Sequence, residues 1–134
     1  MTDNKRPKNV WPTLNYVDAP AAIEFLTGVF GFEESLVVPD EGSDAVVHAQ
    51  LLWPEGGGVM LGTANRPDNE FSKRPTGAGC IYVVTDDPDG LHQRVVDAGV
   101  EIFRDLQDED YGSRGFSALD PEGNIWSFGT YRGE

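Results

Sequence analysis

The chain has a single cysteine, Cys80, so neither an intrachain disulfide nor a cysteine-built zinc cage can form. Histidine is almost as scarce. His48 and His92 are the whole supply, and no Ser–His or Cys–His catalytic pair can be proposed from their surroundings. No apolar run approaches the roughly 20 residues of a bilayer span, and the polar stretch 1–9 is not a signal peptide. Basic residues are few as well: 10 Lys and Arg against 23 Asp and Glu leave a net charge of −13. Three of the ten, Lys5, Arg6 and Lys8, lie in a stretch that reads as a disordered tail over residues 1–9. The remainder is therefore more acidic than the total suggests. Such a field repels nucleic acid and anionic lipid, so neither is an expected partner. It suits a neutral or cationic small molecule, although an acidic surface can also serve solubility alone. A cytoplasmic location is expected.

What is present fits one globular domain. A chain of 134 residues, 39% apolar and 25% charged, can bury roughly two-thirds of its unfolded surface. Residues 10–17 read as a strand. Asp18 then caps a helix with Pro20 in its first turn, and Ile23, Phe25, Leu26, Val29 and Phe30 recur near helical spacing until Gly31 stops them. Strands follow over 32–38, 45–53 and 59–63, joined by turn-rich segments at 39–44 and 54–58. The glycines at 56–58 form no phosphate loop, because Lys-Ser/Thr does not follow. A polar, irregular linker spans 65–77.

The pattern then restarts. A strand over 80–84 precedes a helix opened by residues 86–90, carrying Leu91, Val95, Val96 and Ala98 and ended by Gly99. Strands at 100–103, 116–119 and 124–131 follow, with an acidic loop over 104–115 and a turn at 120–123. Asp18 to Gly31 and Asp86 to Gly99 each span thirteen positions, with proline two residues after each Asp. The chain is a twofold βαβββ repeat: module 1 over 10–64, the linker 65–77, and module 2 over 78–131, in one domain of residues 10–134.

This tandem pattern, with Ala22-Ile23-Glu24-Phe25-Leu26 before Phe30-Gly31-Phe32 and Asp120-Pro121-Glu122-Gly123-Asn124-Ile125-Trp126 near the end, resembles the glyoxalase/bleomycin-resistance/dioxygenase, or vicinal oxygen chelate, superfamily. The resemblance implies an α+β fold: tandem βαβββ modules forming a curved mixed-sheet cup, helices on the convex side, usually as a homodimer. Enzymes of that family hold a divalent cation with four ligands, usually His and Glu, on the concave faces. The corresponding positions here carry Trp11 (or Pro12 if the register slips by one), Met60 (with Leu61 beside it), Cys80 and Ser127. None is a good ligand for a hard or borderline cation. Cys80 could take a soft metal or simply pack as a small hydrophobe. The resemblance thus points to the metal-free, bleomycin-resistance-like branch, with no cofactor.

In the third strand Val47, Ala49, Leu51 and Trp53 alternate with His48, Gln50 and Leu52. The apolar set belongs against the helix, which turns His48 and Gln50 toward the cup. There His48 is either a satisfied structural histidine or a ligand contact. Thr13, Asn15 and Tyr82 join the same concave set; if Ser127 faces the ligand, Trp126 and Phe128, alternating with it, point to the core, and otherwise they face the pocket. His92 reads as a surface residue. In the acidic loop Tyr111 and Arg114 either edge the cleft or belong to a solvated hairpin. The expected function is sequestration of a hydrophobic or aromatic drug or metabolite, cationic ones included, without catalytic residues or metal. The alternative is a metal-dependent lyase, isomerase or dioxygenase with ligands in unexpected places, such as His48 with a loop carboxylate. A third possibility is a filled cup that serves only as a dimerising partner.

Overall fold

The computed structural model describes residues 9–133. The expected tail, with Lys5, Arg6 and Lys8, lies outside the described residues except for Asn9. After strand β1 (Thr13–Tyr16), the Asp18 side chain accepts the Ala21 N–H at 3.1 Å and so starts α1 (Ala19–Phe25) with Pro20 in its first turn. The helix then widens into a π-helical turn, Leu26–Phe30. Gly31 donates its N–H five residues back to the Leu26 carbonyl at 3.1 Å. With φ at 96°, Gly31 occupies the left-handed region that glycine enters without strain, and the chain turns into β2 (Glu33–Pro39).

Strands β3 (Val46–Leu52) and β4 (Gly58–Thr63) complete the first sheet, in the order β1-β4-β3-β2 with β4 parallel to β1. Alternation decides which side chains are covered. Ala49, Leu51, Val59 and Leu61 are buried together with Tyr16, Ala22, Leu26 and Phe30. The intervening residues form the open face of the sheet. One expectation fails here: Val46 is buried and Val47 is 38% exposed, because the pairing register shifts between Val38 and Pro39 opposite them.

The second half repeats this plan. Strand β5 (Cys80–Val84), helix α2 (Pro88–Asp97) and strands β6 (Ile102–Asp108), β7 (Arg114–Leu119) and β8 (Ile125–Gly129) give a sheet ordered β5-β8-β7-β6. Helix α2 packs over β6 and β7. Its cap is Asp87 rather than the expected Asp86: the Asp87 carboxylate accepts the Gly90 N–H at 3.0 Å, while Asp86 pairs with Arg132. From cap to terminal glycine the second helix is therefore one residue shorter than the first, and the π-helical turn absorbs that extra residue.

The Asp120–Trp126 motif ties the second core together. The buried Asp120 carboxylate accepts the N–H groups of Glu122 and Asn124 through Oδ1, at 2.9 and 3.1 Å. Through Oδ2 it accepts Asn124 Nδ2 at 2.9 Å and Trp126 Nε1 at 3.0 Å. Asn124 Oδ1 in turn accepts the Gly79 N–H at 2.7 Å, tying the turn to the start of β5. Trp126 and Phe128 are fully buried or nearly so, as their alternation with Ser127 predicts.

The expected acidic loop over 104–115 is a correction. Strand β6 continues to Asp108 and β7 begins at Arg114, leaving only residues 109–113 as a turn. Pairing with β7 outweighs the low strand preference of these charged residues, which an edge strand can leave in water. Strands β1 and β8 are shorter than expected, and residues 65–77 contain one 3₁₀ turn, Phe71–Lys73. The chain clusters into two compact units that divide between Thr76 and Gly77. Each holds one mixed four-stranded sheet and one α-helix, an α+β architecture as expected.

Candidate functional site

The first unit presents an open sheet face. Thr13, Met60, Gln50 and Leu36 are successive register partners across β1, β4, β3 and β2. The Trp11 ring lies over Gly58, where a β-carbon would stand 2.9 Å from it. Beside these, the Gln50 side-chain nitrogen lies 3.0 Å from His48 Nε2. The two residues are half-buried and share one face, as the strand alternation predicts. Asn15 is already engaged: its Nδ2 donates to the Phe71 carbonyl at 2.8 Å.

The second unit carries a half-open cavity of about 180 Å³ on the open side of β5, β8 and β7. Tyr82, Ser127, Ser117 and Arg104 are successive register partners across its strands. Tyr111 and Ser113 border it from the β6–β7 turn, and Gly115 and Gly129 line it where the Phe128 carbonyl and the Tyr82 ring leave no room for a β-carbon. The Tyr82 ring lies over Gly129 and its hydroxyl donates to the Tyr131 carbonyl at 2.6 Å. Burial pushes the Tyr82 phenol above its ordinary value of 10.0, so it remains a neutral donor at physiological pH. Ser117 and Ser127 Oγ meet at 2.7 Å. On the β6 side Arg104 grips Glu109 with two nitrogens, at 2.7 and 3.4 Å, and Gln107 adds a third donor to that carboxylate at 3.2 Å. Tyr111 is 64% exposed, its ring edge-on to Tyr131 at 5.5 Å.

Of the residues singled out from sequence, Tyr82, Tyr111 and Ser127 come together at this cavity. Cys80 sits two residues before Tyr82 on the same strand face and is exposed. Thr13, Asn15, His48, Gln50 and Met60 belong to the first sheet, and Trp11 precedes its strand β1. Arg114 is not among the cavity residues. Its guanidinium is held by Asp89 at 2.8 Å and Asp108 at 3.2 Å, which keeps it fully protonated. His92 is not the surface residue expected. Its ring packs edge-on to Phe116 at 5.1 Å and bonds Asp105 at 2.9 Å, because α2 lies over β6 and β7. Arg104, Glu109, Ser113 and Ser117 were not foreseen.

The residues present do not fit the family's divalent cation. At the four positions that the resemblance puts in correspondence stand an indole, a thioether, a thiol and a hydroxyl, and Ser127 is bonded to Ser117. Among the described residues no three of His, Cys, Asp and Glu converge in a ligand set.

Two α+β units, each a β-strand, a helix and a three-stranded meander that returns parallel to the first strand, define a class of protein built on paired βαβββ modules. The chain belongs to the Glyoxalase/Bleomycin resistance protein/Dioxygenase superfamily, whose family model matches residues 10–128. It is 33% identical over 124 residues to the uncharacterized protein Rv0887c of Mycobacterium tuberculosis, covering 88% of this chain and 71% of that protein. The crystal structure of TioX from Micromonospora sp. ML1 superposes with a TM-score of 0.75 at 31% identity, covering 90% of this chain and 94% of that one. A superfamily member from Sphaerobacter thermophilus shares the fold, with a TM-score of 0.66 at 21% identity over 90% of this chain and 96% of that one. Among the described residues no helix is long and apolar enough to cross a membrane.

Proposed function

We propose that this protein is a metal-independent binding protein that sequesters a hydrophobic or aromatic small molecule, cationic ones included, in the manner of the bleomycin-resistance branch. The observation that carries this reading is the composition of the cavity in the second unit. Tyrosine rings and serine hydroxyls surround a charge pair that is already compensated, and no ligand set or nucleophile–base pair accompanies them. Rings that bury an apolar ligand, with a few polar groups to fix its orientation, make a binding pocket. The first unit's Trp11, Thr13, Asn15, Met60, Gln50 and His48 offer a second set of contacts of the same character. The net charge of −13 would draw a basic ligand in and repel anionic ones. No catalytic residue, metal or cofactor belongs to this reading, and resistance to a toxic compound is the biological role it suggests.

The test is a thermal-shift panel of fused aromatic compounds, neutral and cationic, followed by titration of any that raise the melting temperature. Tyr111→Ala is expected to weaken a hit about tenfold, because it removes ring area and ring-pair geometry together. A panel in which nothing shifts the transition would defeat the reading.

The reading includes a cytoplasmic homodimer. Edge strand β2 exposes Leu36 and Val38, at 43% and 39%, beside unpaired backbone groups. Sedimentation at micromolar protein should give a dimer. A monomer across that range would contradict the assembly.

A further inference from the structure

We infer that the cavity in the second unit selects, among aromatic ligands, those that carry a neutral carbonyl oxygen, and that the Ser117–Ser127 pair, standing beside the Arg104 guanidinium, donates to it. This inference rests on the binding-protein reading and adds the chemistry of the ligand.

A donor count leads to it. Two serine hydroxyls bring two protons, and their Oγ–Oγ contact of 2.7 Å uses one of them. Among the described residues no acceptor takes the other. Either serine can be the donor, and with Ser117 buried and Ser127 half-buried the remaining proton is the one that faces the cleft. The neighbouring register position on β6 is Arg104, which gives two nitrogens to Glu109 and keeps further N–H groups in its fork. The acceptors nearby are engaged. The Glu109 carboxylate already takes Arg104 and Gln107, and the Tyr131 carbonyl takes Tyr82. Serine oxygens can also accept, but beside the guanidinium an acceptor oxygen is the better complement.

Charge decides which oxygen. Glu109 already neutralises Arg104, so a carboxylate on the ligand would face Glu109 as a like charge. A neutral carbonyl would not. Position completes the argument. Tyr82, Ser127, Ser117 and Arg104 stand in one row on adjacent strands. At roughly 4.8 Å per strand, a fused bicycle resting on Tyr82 places a ring carbonyl over the serines. A volume of about 180 Å³ suits such a bicycle, or one end of a larger ligand.

Calorimetric titration with coumarin and with chromene, which has CH₂ in place of the carbonyl, tests the assignment. Wild-type protein should bind coumarin roughly tenfold more tightly than chromene. Either serine alone still has a proton to donate. Ser117→Ala and Ser127→Ala singly should therefore keep much of the preference, and the double variant should bring the ratio close to one. Unchanged chromene binding by the double variant shows that the pocket is intact. Equal binding of the two probes by wild type overturns the carbonyl assignment and leaves the aromatic pocket standing, as does a double variant that keeps the preference. No binding of either probe, together with a silent aromatic panel, overturns the pocket as well.

Discussion

At the scale of single residues, burial and hydrogen bonding separate the aromatic side chains into two kinds. Trp126 is fully buried and donates from Nε1 to Asp120 Oδ2 at 3.0 Å. Tyr82 and Tyr111 are 49% and 64% exposed and line the cavity. Trp126→Ala should therefore cost about 3–5 kcal/mol of stability by emptying a core site. Trp126→Phe should cost less, about 1–2 kcal/mol, by taking one donor from a buried carboxylate. Urea denaturation of the two variants checks the order, and a Trp126→Ala protein as stable as wild type would place the indole outside the core. The sequence showed that Trp126 and Ser127, neighbours on a strand, face opposite ways; the burial of Trp126 decides which of them faces the core. Likewise the alternation of His48 and Gln50 with Ala49 and Leu51 sets the open face of β3. The partnership of Ser117 with Ser127 was not legible. It depends on the β7–β8 register, and no local pattern fixes which of several small residues on β7 stands opposite.

At the scale of elements, the repeat supplied the helices and most strands, and two errors have separate causes. Strand β6 was read as short because residues 104–108 are charged and polar, yet its counterpart β2 is seven residues long. The repeat itself therefore carried the signal for a longer β6, and with it the positions of Arg104 and Glu109. The one-residue offset of the second cap has a different origin. Equal spacing from Asp18 and Asp86 to glycine conceals a π-helical turn in only one helix. Helix α2 is fastened over β6 and β7 by Asp89 with Arg114 and by His92 with Asp105. The Arg114 hydrogen bonds hold Asp89 below its ordinary 3.8. The Leu106 N–H and then His92 do the same for Asp105. A carboxylate depressed in the folded state stabilises it fully above the unfolded value, and that contribution drains away as pH falls through the folded value. Stability should therefore be insensitive to these groups from neutrality down to about pH 4 and fall below it. Because both carboxylates are solvent-exposed, the effect should be small and weakened by salt. Urea midpoints measured against pH should show a shallower acid limb in Asp89→Asn and Asp105→Asn. An acid limb unchanged in both variants would show that neither pair fastens the helix.

At the scale of the whole molecule, the chain carries the family scaffold, and among the described residues no three of His, Cys, Asp and Glu converge. Duplication made the scaffold readable from one sequence, since each half corroborates the other. The resemblance singled out four positions, Trp11, Met60, Cys80 and Ser127, and of these Ser127 lines the cavity. The cavity's remaining lining depends on register and on the turn at residues 109–113, where spacing alone gives no guidance. The central claim is that this scaffold binds without metal. Its most direct test is elemental analysis of protein purified without chelators, paired with coumarin titration before and after EDTA treatment. The account predicts well under one equivalent of Zn, Ni, Fe or Mn per chain and the same dissociation constant in both titrations. One equivalent of metal, lost in His48→Ala and needed for ligand binding, would contradict it.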